Sequence, residues 1–271
     1  MNAKATELGC KNTHFVNPNG IHDENHYSTV YDLALITKYA LRNETFKEIV
    51  SFTSYKLPVS EFYMEDNRIF ANTNEMIIPY SNYYYEYATG VKTGYTSVAG
   101  YCLVSSAEKS NLKLIAIVLG ANQNSQKYED TKNLFEYGFN NYSLQQVAIK
   151  NTAVQTIKVK NATHATKNLN ALLETNIYAI VKNDSTEVIS PEIEINENLK
   201  APIQKGDVIG SITYNIEGIS YNSNLVASND IKKSYLFIYI LIFVVICWIM
   251  LKFLEKLKKN KRKKIKKNNM R

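Results

Sequence analysis

The segment Tyr235–Leu251, YLFIYILIFVVICWIML, constrains this chain more than any other stretch of it. Its 17 residues hold no charge and no proline. A bilayer core admits only backbone that satisfies its own hydrogen bonds, and about 20 apolar residues in a helix suffice to cross it. The run meets the lower limit, and Lys252 can snorkel to lengthen it. A helix buried in a soluble core is the competing reading, but such helices seldom run directly into a basic block. Here Lys252–Arg271 holds 11 Lys or Arg and a single acidic residue, Glu255. The positive-inside rule places that block in the cytoplasm and residues 1 to about 230 outside the cell membrane. Clustered lysines beside a span also favour anionic lipid head groups.

That address for the charge decides what the chain can bind. A net charge of +7 and a pI near 9.0 would ordinarily raise nucleic acid as a partner. Outside the tail, 21 basic residues face 24 acidic ones, a net of −3, so nucleic acid is not expected. Residues 1–10, MNAKATELGC, contain no apolar core of a signal peptide, although the large part before the span must be exported. The true N-terminus is therefore expected upstream of Met1. Cys10 and Cys102 belong to no spaced motif, and Cys247 lies within the span.

Turn and periodicity signals divide the remainder. Met1–Leu8 reads as a helix end closed by Gly9. Cys10–Tyr27 is a polar loop around Asn17-Pro18-Asn19-Gly20. Thr29 followed by Asp32 predicts a capping box, and Leu33, Ile36, Ala40 and Leu41 predict the apolar face of the helix it opens. A short helix is expected near Phe46–Val50, with strands at 51–57 and 68–71. The tyrosine-rich stretch 72–87 has no clear period. Residues 90–96, 100–107 and 112–121 then predict an antiparallel meander, with Ser110-Asn111 turning its second hairpin and a helix over 126–139 lying across it. From residue 142 alternating segments such as 156–159, 177–181 and 193–195 predict a small β domain. The expected divisions are 1–141, 142–227, a linker 228–234, a span 235–254 and a basic tail 255–271. The fold class is α+β.

On the first strand of the meander sits Lys92-Thr93-Gly94, within TGVKTGYTSVAGYCLV. The tripeptide alone says little. Joined to the upstream run LGCKNTHFVNPNGIHDENHYSTVYDLALITKYAL, it resembles the D-alanyl-D-alanine carboxypeptidases among the low-molecular-weight penicillin-binding proteins. The resemblance implies an incomplete penicillin-binding/β-lactamase-like transpeptidase domain, then a small all-β domain and a C-terminal transmembrane helix. It implies no cofactor and no metal. In such enzymes a serine attacks the carbonyl before the terminal D-alanine, and water hydrolyses the acyl-enzyme. By this resemblance Lys92 directs positive charge at the substrate's terminal carboxylate and Thr93 donates a hydroxyl hydrogen bond to it. Gly94 leaves room for substrate backbone, and the amide of Tyr95 serves as an oxyanion-hole donor. The implied partners are a peptidoglycan stem peptide ending in D-Ala-D-Ala and, for the full-length form, β-lactams.

The same resemblance calls for Ser-x-x-Lys and Ser-x-Asn before the motif strand. Ser106-Ala-Glu-Lys109 has the right letters but follows Lys92. Ser220-Tyr-Asn222 falls in the small β domain, and Tyr80-Ser-Asn82 in an irregular stretch. None is expected to act, so the catalytic serine and lysine are absent from these residues and the chain alone is expected to be inactive. The alternative is a non-catalytic, membrane-anchored peptidoglycan-binding or scaffold protein. His22 and His26 flank Asp23 on a loop, not a helix, so a metal site is not expected there; His14 and His164 have no evident partners. Apolar surface is expected to be left exposed in a chain of this extent.

Overall fold

The computed structural model describes residues 1–186 and 189–268. Residues 187–188 of the expected β domain and 269–271 of the basic tail lie outside the described residues. The chain divides into two units, Met1–Gln145 with Ile180–Glu187, and Gln146–Ala179 with Val188–Arg271.

The first unit opens with α1 (Asn2–Glu7). Gly9 takes φ +87°, a backbone conformation that residues with a side chain rarely adopt, and lets Cys10 N donate to Ala5 O and Gly9 N to Thr6 O, both at 3.0 Å. The polar loop that follows is closed by a pair of backbone hydrogen bonds between His14 and Tyr27, at 2.9 and 3.0 Å. Thr29 caps α2 (Val30–Ala40), its hydroxyl accepting from Asp32 N at 3.2 Å.

The second half of the expected capping box does not form. The Asp32 carboxylate instead accepts from Asn12 N at 2.7 Å, Thr13 Oγ1 at 2.7 Å and Lys11 N at 3.4 Å. Three loop donors outcompete one cap amide, because a buried carboxylate needs its lone pairs filled. Thr13's hydroxyl, opposed by burial and supported by the Asn12 and Lys11 amides, holds Asp32 below the ordinary carboxylate range. A depressed folded-state pKa stabilises the fold above the unfolded value, and the stabilisation fades as pH falls through the folded one. Asp32→Asn is therefore expected to lower the melting temperature at pH 7. The gap to wild type should narrow as pH drops below about 4. A gap that stays constant over a series of melts from pH 7 to pH 3 would contradict this role.

α3 (Glu44–Ser51) begins at Asn43, whose side chain accepts from Phe46 N at 3.0 Å. It leads into a two-stranded ribbon of β1 (Ser54–Lys56) and β2 (Ile69–Ala71), both shorter than the segments expected from sequence. After a 3-10 turn at Glu75–Ile77 comes the antiparallel meander, β3 (Ala88–Thr96), β4 (Gly100–Lys109) and β5 (Leu112–Ala121), in that spatial order. Ser110 and Asn111 both have positive φ, 49° and 66°, as a two-residue type I′ hairpin requires. α4 (Asn124–Asn141) packs against β4 and β5.

The core of this unit joins Leu103 and Ala107 of β4, Ala116 of β5, Tyr128 and Phe135 of α4, and Met76 and Tyr85 of the stretch between β2 and β3. Tyr83, Tyr85 and Tyr87, every second residue, meet Tyr128, Phe135 and Phe139 with ring centroids 4.6, 5.7 and 5.9 Å apart. Two successive turns, closed by Tyr84 N donating to Ser81 O at 3.1 Å and Ala88 N donating to Tyr85 O at 2.9 Å, bring these three rings onto one helix face. The opposite situation holds at α2. Its apolar residues Leu33, Ile36 and Ala40 are only half-buried. Ile36 and Ala40, with Leu8, Phe15, Phe46 and Ile49, line an open apolar concavity of about 860 Å³.

The second unit is entered through β6 (Tyr142–Ala148), left along β9 (Ile177–Lys182), whose residues from Ile180 belong to the first unit, and built on β7 (Ala153–Lys158), β8 (Asn168–Leu173), β10 (Glu192–Ile195), β11 (Val208–Ile216) and β12 (Ile219–Ala227). Five of these form one antiparallel sheet in the order β10-β11-β12-β8-β7. Alternate residues are buried along each inner strand: Leu169, Ala171 and Leu173 on β8, Ile212, Tyr214 and Ile216 on β11, Leu225 and Ala227 on β12. Residues 228–234, read from sequence as a linker, are tied to this unit. Ile231 is buried and exchanges backbone hydrogen bonds with Ile203 at 2.8 and 3.1 Å, and Ser234 N donates to Asn161 O at 2.8 Å. Beyond it runs α5 (Leu236–Asn268), one helix of 33 residues. Its part Leu236–Lys259 is long and apolar enough to cross a membrane, which fits an anchor.

Candidate functional site

β3 stands at one edge of the meander. It pairs with β4 on one side, with Lys92 opposite Val104, Thr93 opposite Leu103, Gly94 opposite Cys102 and Tyr95 opposite Tyr101. On its other side no backbone group among the described residues hydrogen-bonds to the backbone of 90–96. A free edge of this kind offers a row of amides and carbonyls to an extended peptide. Cross-strand partners share a face, so Thr93 and Tyr95 lie on the same face of the sheet as Leu103, while Lys92 and Gly94 lie on the other.

Each motif residue leaves the edge available. Lys92 is exposed, and its ammonium donates only to the neighbouring Thr93 O, at 2.6 Å. A Cβ built on Gly94 would meet nothing closer than Cys102 Cβ at 3.9 Å. Packing within the chain therefore does not demand a glycine there, and its absent side chain serves to keep the strand bare. The ring of Tyr95 stacks on Tyr101 with centroids 4.4 Å apart, which fixes the backbone that bears its amide. Thr93 Oγ1 lies 2.6 Å from Thr73 Oγ1.

Thr73 comes from the stretch 72–87, irregular by its sequence, and it is held on three sides. Asn72 Nδ2 donates to Val50 O at 3.3 Å and Phe52 O at 2.9 Å, and its Oδ1 accepts from Asn74 N at 2.9 Å. Tyr128 Oη donates to Thr73 O at 3.1 Å. Burial pushes the Tyr128 hydroxyl up to about 12, so it keeps its proton at neutral pH. Lys127, also unanticipated, is buried beside the same region, its ammonium over the rings of Tyr101 and Tyr128 at 5.4 and 4.7 Å and donating to Asn124 Oδ1 at 2.6 Å. Burial lowers its pKa.

Residues 1–123 match the family model of D-alanyl-D-alanine carboxypeptidase, and residues 142–233 match that of the penicillin-binding protein 5 C-terminal domain. The chain belongs to the D-alanyl-D-alanine carboxypeptidase family. It is 34% identical over 239 residues to the D-alanyl-D-alanine carboxypeptidase DacF of Bacillus subtilis, covering 86% of this chain and 58% of that protein. It is 31% identical over 244 residues to DacA of Haemophilus influenzae, covering 88% and 58%. Among solved structures, penicillin-binding protein 5 from Haemophilus influenzae superposes with a TM-score of 0.62 at 26% identity, over 86% of this chain and 64% of that one. The chain thus spans just over half the length of the curated relatives it matches.

Within the family frame, the serines that spell its other motifs are otherwise engaged. Ser106 is buried mid-strand with its hydroxyl 2.8 Å from Thr89 Oγ1, while Lys109 places its ammonium over Tyr87 at 4.6 Å. Residues three apart on a strand face opposite ways, so the two cannot act as nucleophile and base. Ser220 Oγ donates to Asn215 Oδ1 at 2.6 Å on β12, and Ser81 Oγ to Glu75 Oε2 at 2.8 Å in a turn. The loop histidines make local contacts, His14 Nδ1 with Asn25 O at 2.7 Å and His26 Nδ1 accepting from Val16 N at 3.4 Å. Three larger concavities beside α1–α3 and the β1–β2 ribbon are not lined by Lys92, Thr93, Gly94 or Tyr95. The motif edge is one wall, open in front.

Proposed function

We propose that the protein is a membrane-anchored serine-type D-Ala-D-Ala carboxypeptidase of peptidoglycan synthesis and remodelling. In this reading residues 88–96 supply its carboxylate-binding wall. The observation that carries the reading is the unpaired edge of β3 with an exposed ammonium at Lys92 and a glycine at 94 that no internal packing requires. A stem peptide ending in D-Ala-D-Ala would lie along that edge in extended form. Lys92 attracts its terminal carboxylate, Thr93 donates a hydrogen bond to it, and the Tyr95 amide faces the carbonyl before the last D-alanine. A pre-placed amide donor stabilises the oxyanion that forms there on attack. The attacking serine and its lysine are not among these residues. The wall as it stands can hold a peptide but has no group to form the acyl bond.

α5 supports anchoring by a single span, with the tail on the cytoplasmic side against anionic lipids and the two units outside. β-lactams, which imitate the terminal dipeptide, would be ligands of the form that contains the nucleophile. The 271-residue chain incubated with a fluorescent penicillin is expected to give no covalent adduct. A band that survives denaturation would contradict the absence of the attacking serine from these residues.

A further inference from the structure

The hydroxyls of Thr73 and Thr93 are 2.6 Å apart, and a pair that close shares one proton. Two arrangements exist. If Thr93 donates to Thr73, it turns lone pairs toward the open edge and repels a carboxylate. If Thr73 donates to Thr93, the proton of Thr93 is free to point outward. Only the second suits an anion, and a donor chain of this kind polarises each member in turn. Thr73 is well placed for the task. Its carbonyl is fixed by Tyr128, which stays protonated, and its neighbour Asn72 is tied to the end of α3 and the residue beyond. The side chain itself is exposed, so it fills no core.

We propose that Thr73 is a positioning residue for the carboxylate-binding wall. It donates its hydroxyl proton to Thr93 and so commits the hydroxyl of Thr93 to donating to the terminal carboxylate. The inference rests on the carboxypeptidase reading above and names a residue outside the Lys-Thr-Gly strand as a determinant of ligand selectivity. The loss of one such hydrogen bond changes an equilibrium by about fivefold.

The test is the ratio of affinities of the full chain for an acetylated tripeptide ending in D-Ala-D-Ala and for the same peptide with a C-terminal carboxamide. Thr73→Val, which keeps the shape and removes the hydroxyl, is expected to lower that ratio by about fivefold. Thr73→Ser, which keeps the hydroxyl, should restore it to within about twofold. A structural role would weaken both peptides alike and leave the ratio unmoved. The proposal is overturned if Thr73→Val keeps the wild-type ratio, or if Thr73→Ser falls as far as Thr73→Val. If the wild-type chain shows no preference for the carboxylate and Lys92→Ala changes nothing, the carboxypeptidase reading fails and takes this inference with it.

Discussion

Replacing Phe135 with alanine is expected to destabilise the first unit by about 3–5 kcal/mol. The ring is 1% exposed, stacks on Tyr85 at 5.7 Å and lies 6.3 Å from Phe139. It occupies the middle of the seam where the tyrosine stretch, α4 and the sheet meet. Removing it loses the transfer free energy of a buried ring and leaves a cavity that its two aromatic neighbours cannot close without leaving their own stacks. For a unit of this size the melting temperature should fall by about 10 °C. Leu134, the adjacent residue on α4, is 48% exposed, and its alanine variant should shift the melt little. Equal shifts for the two would mean that the aromatic seam does not hold the unit together. The seam also positions the functional edge, since Tyr128 belongs to it and donates to Thr73.

How much of this was legible beforehand follows from which interactions are local. The meander was readable because alternation and the Ser110-Asn111 turn are properties of adjacent residues, and the structure places β3, β4 and β5 within two residues of the expected limits. Gly9 was readable for the same reason, as a helix stop that needs positive φ. The apolar run Tyr235–Leu251 forms helix because nothing else can be made of it in lipid. The failures are all contacts between segments distant in sequence. Asp32 sits three residues from Thr29, which invited a local cap, but its carboxylate is claimed by residues 11–13. The tyrosines at 83, 85 and 87 stand in successive turns with no helix or strand period. Only the partner helix, some 45 residues or more downstream, gathers them into a packed face. Segment 228–234 reads as linker because its polar residues surround a single Ile231, and burial of that one side chain against Ile203 cannot be read from composition. At the site, Lys92-Thr93-Gly94 was found by its family pattern, whereas Thr73 offered only a turn-like Asn-Thr-Asn and gained its meaning from a hydroxyl 20 residues away.

Lys92→Ala is expected to weaken binding of a D-Ala-D-Ala peptide to this chain by about 10- to 100-fold at low salt. That range follows from a charge-assisted hydrogen bond contributing about 1.5–3 kcal/mol. The ammonium is exposed and has no carboxylate partner among the described residues, so its field is free to act on an incoming anion, though salt will screen it. Lys92→Arg keeps the charge and should keep most of the affinity. The effect should be confined to the charged terminus, because Lys92 lies on the face opposite Thr93 and Tyr95 and its removal disturbs neither the Thr73 pair nor the Tyr101 stack.

The decisive measurement is a titration of the chain and of Lys92→Ala with that peptide as free acid and as carboxamide. Wild type should prefer the acid by at least about tenfold, and the variant should keep no more than the roughly fivefold preference that the Thr93 hydroxyl supplies. An unchanged preference in Lys92→Ala would place carboxylate recognition somewhere other than the open edge of β3.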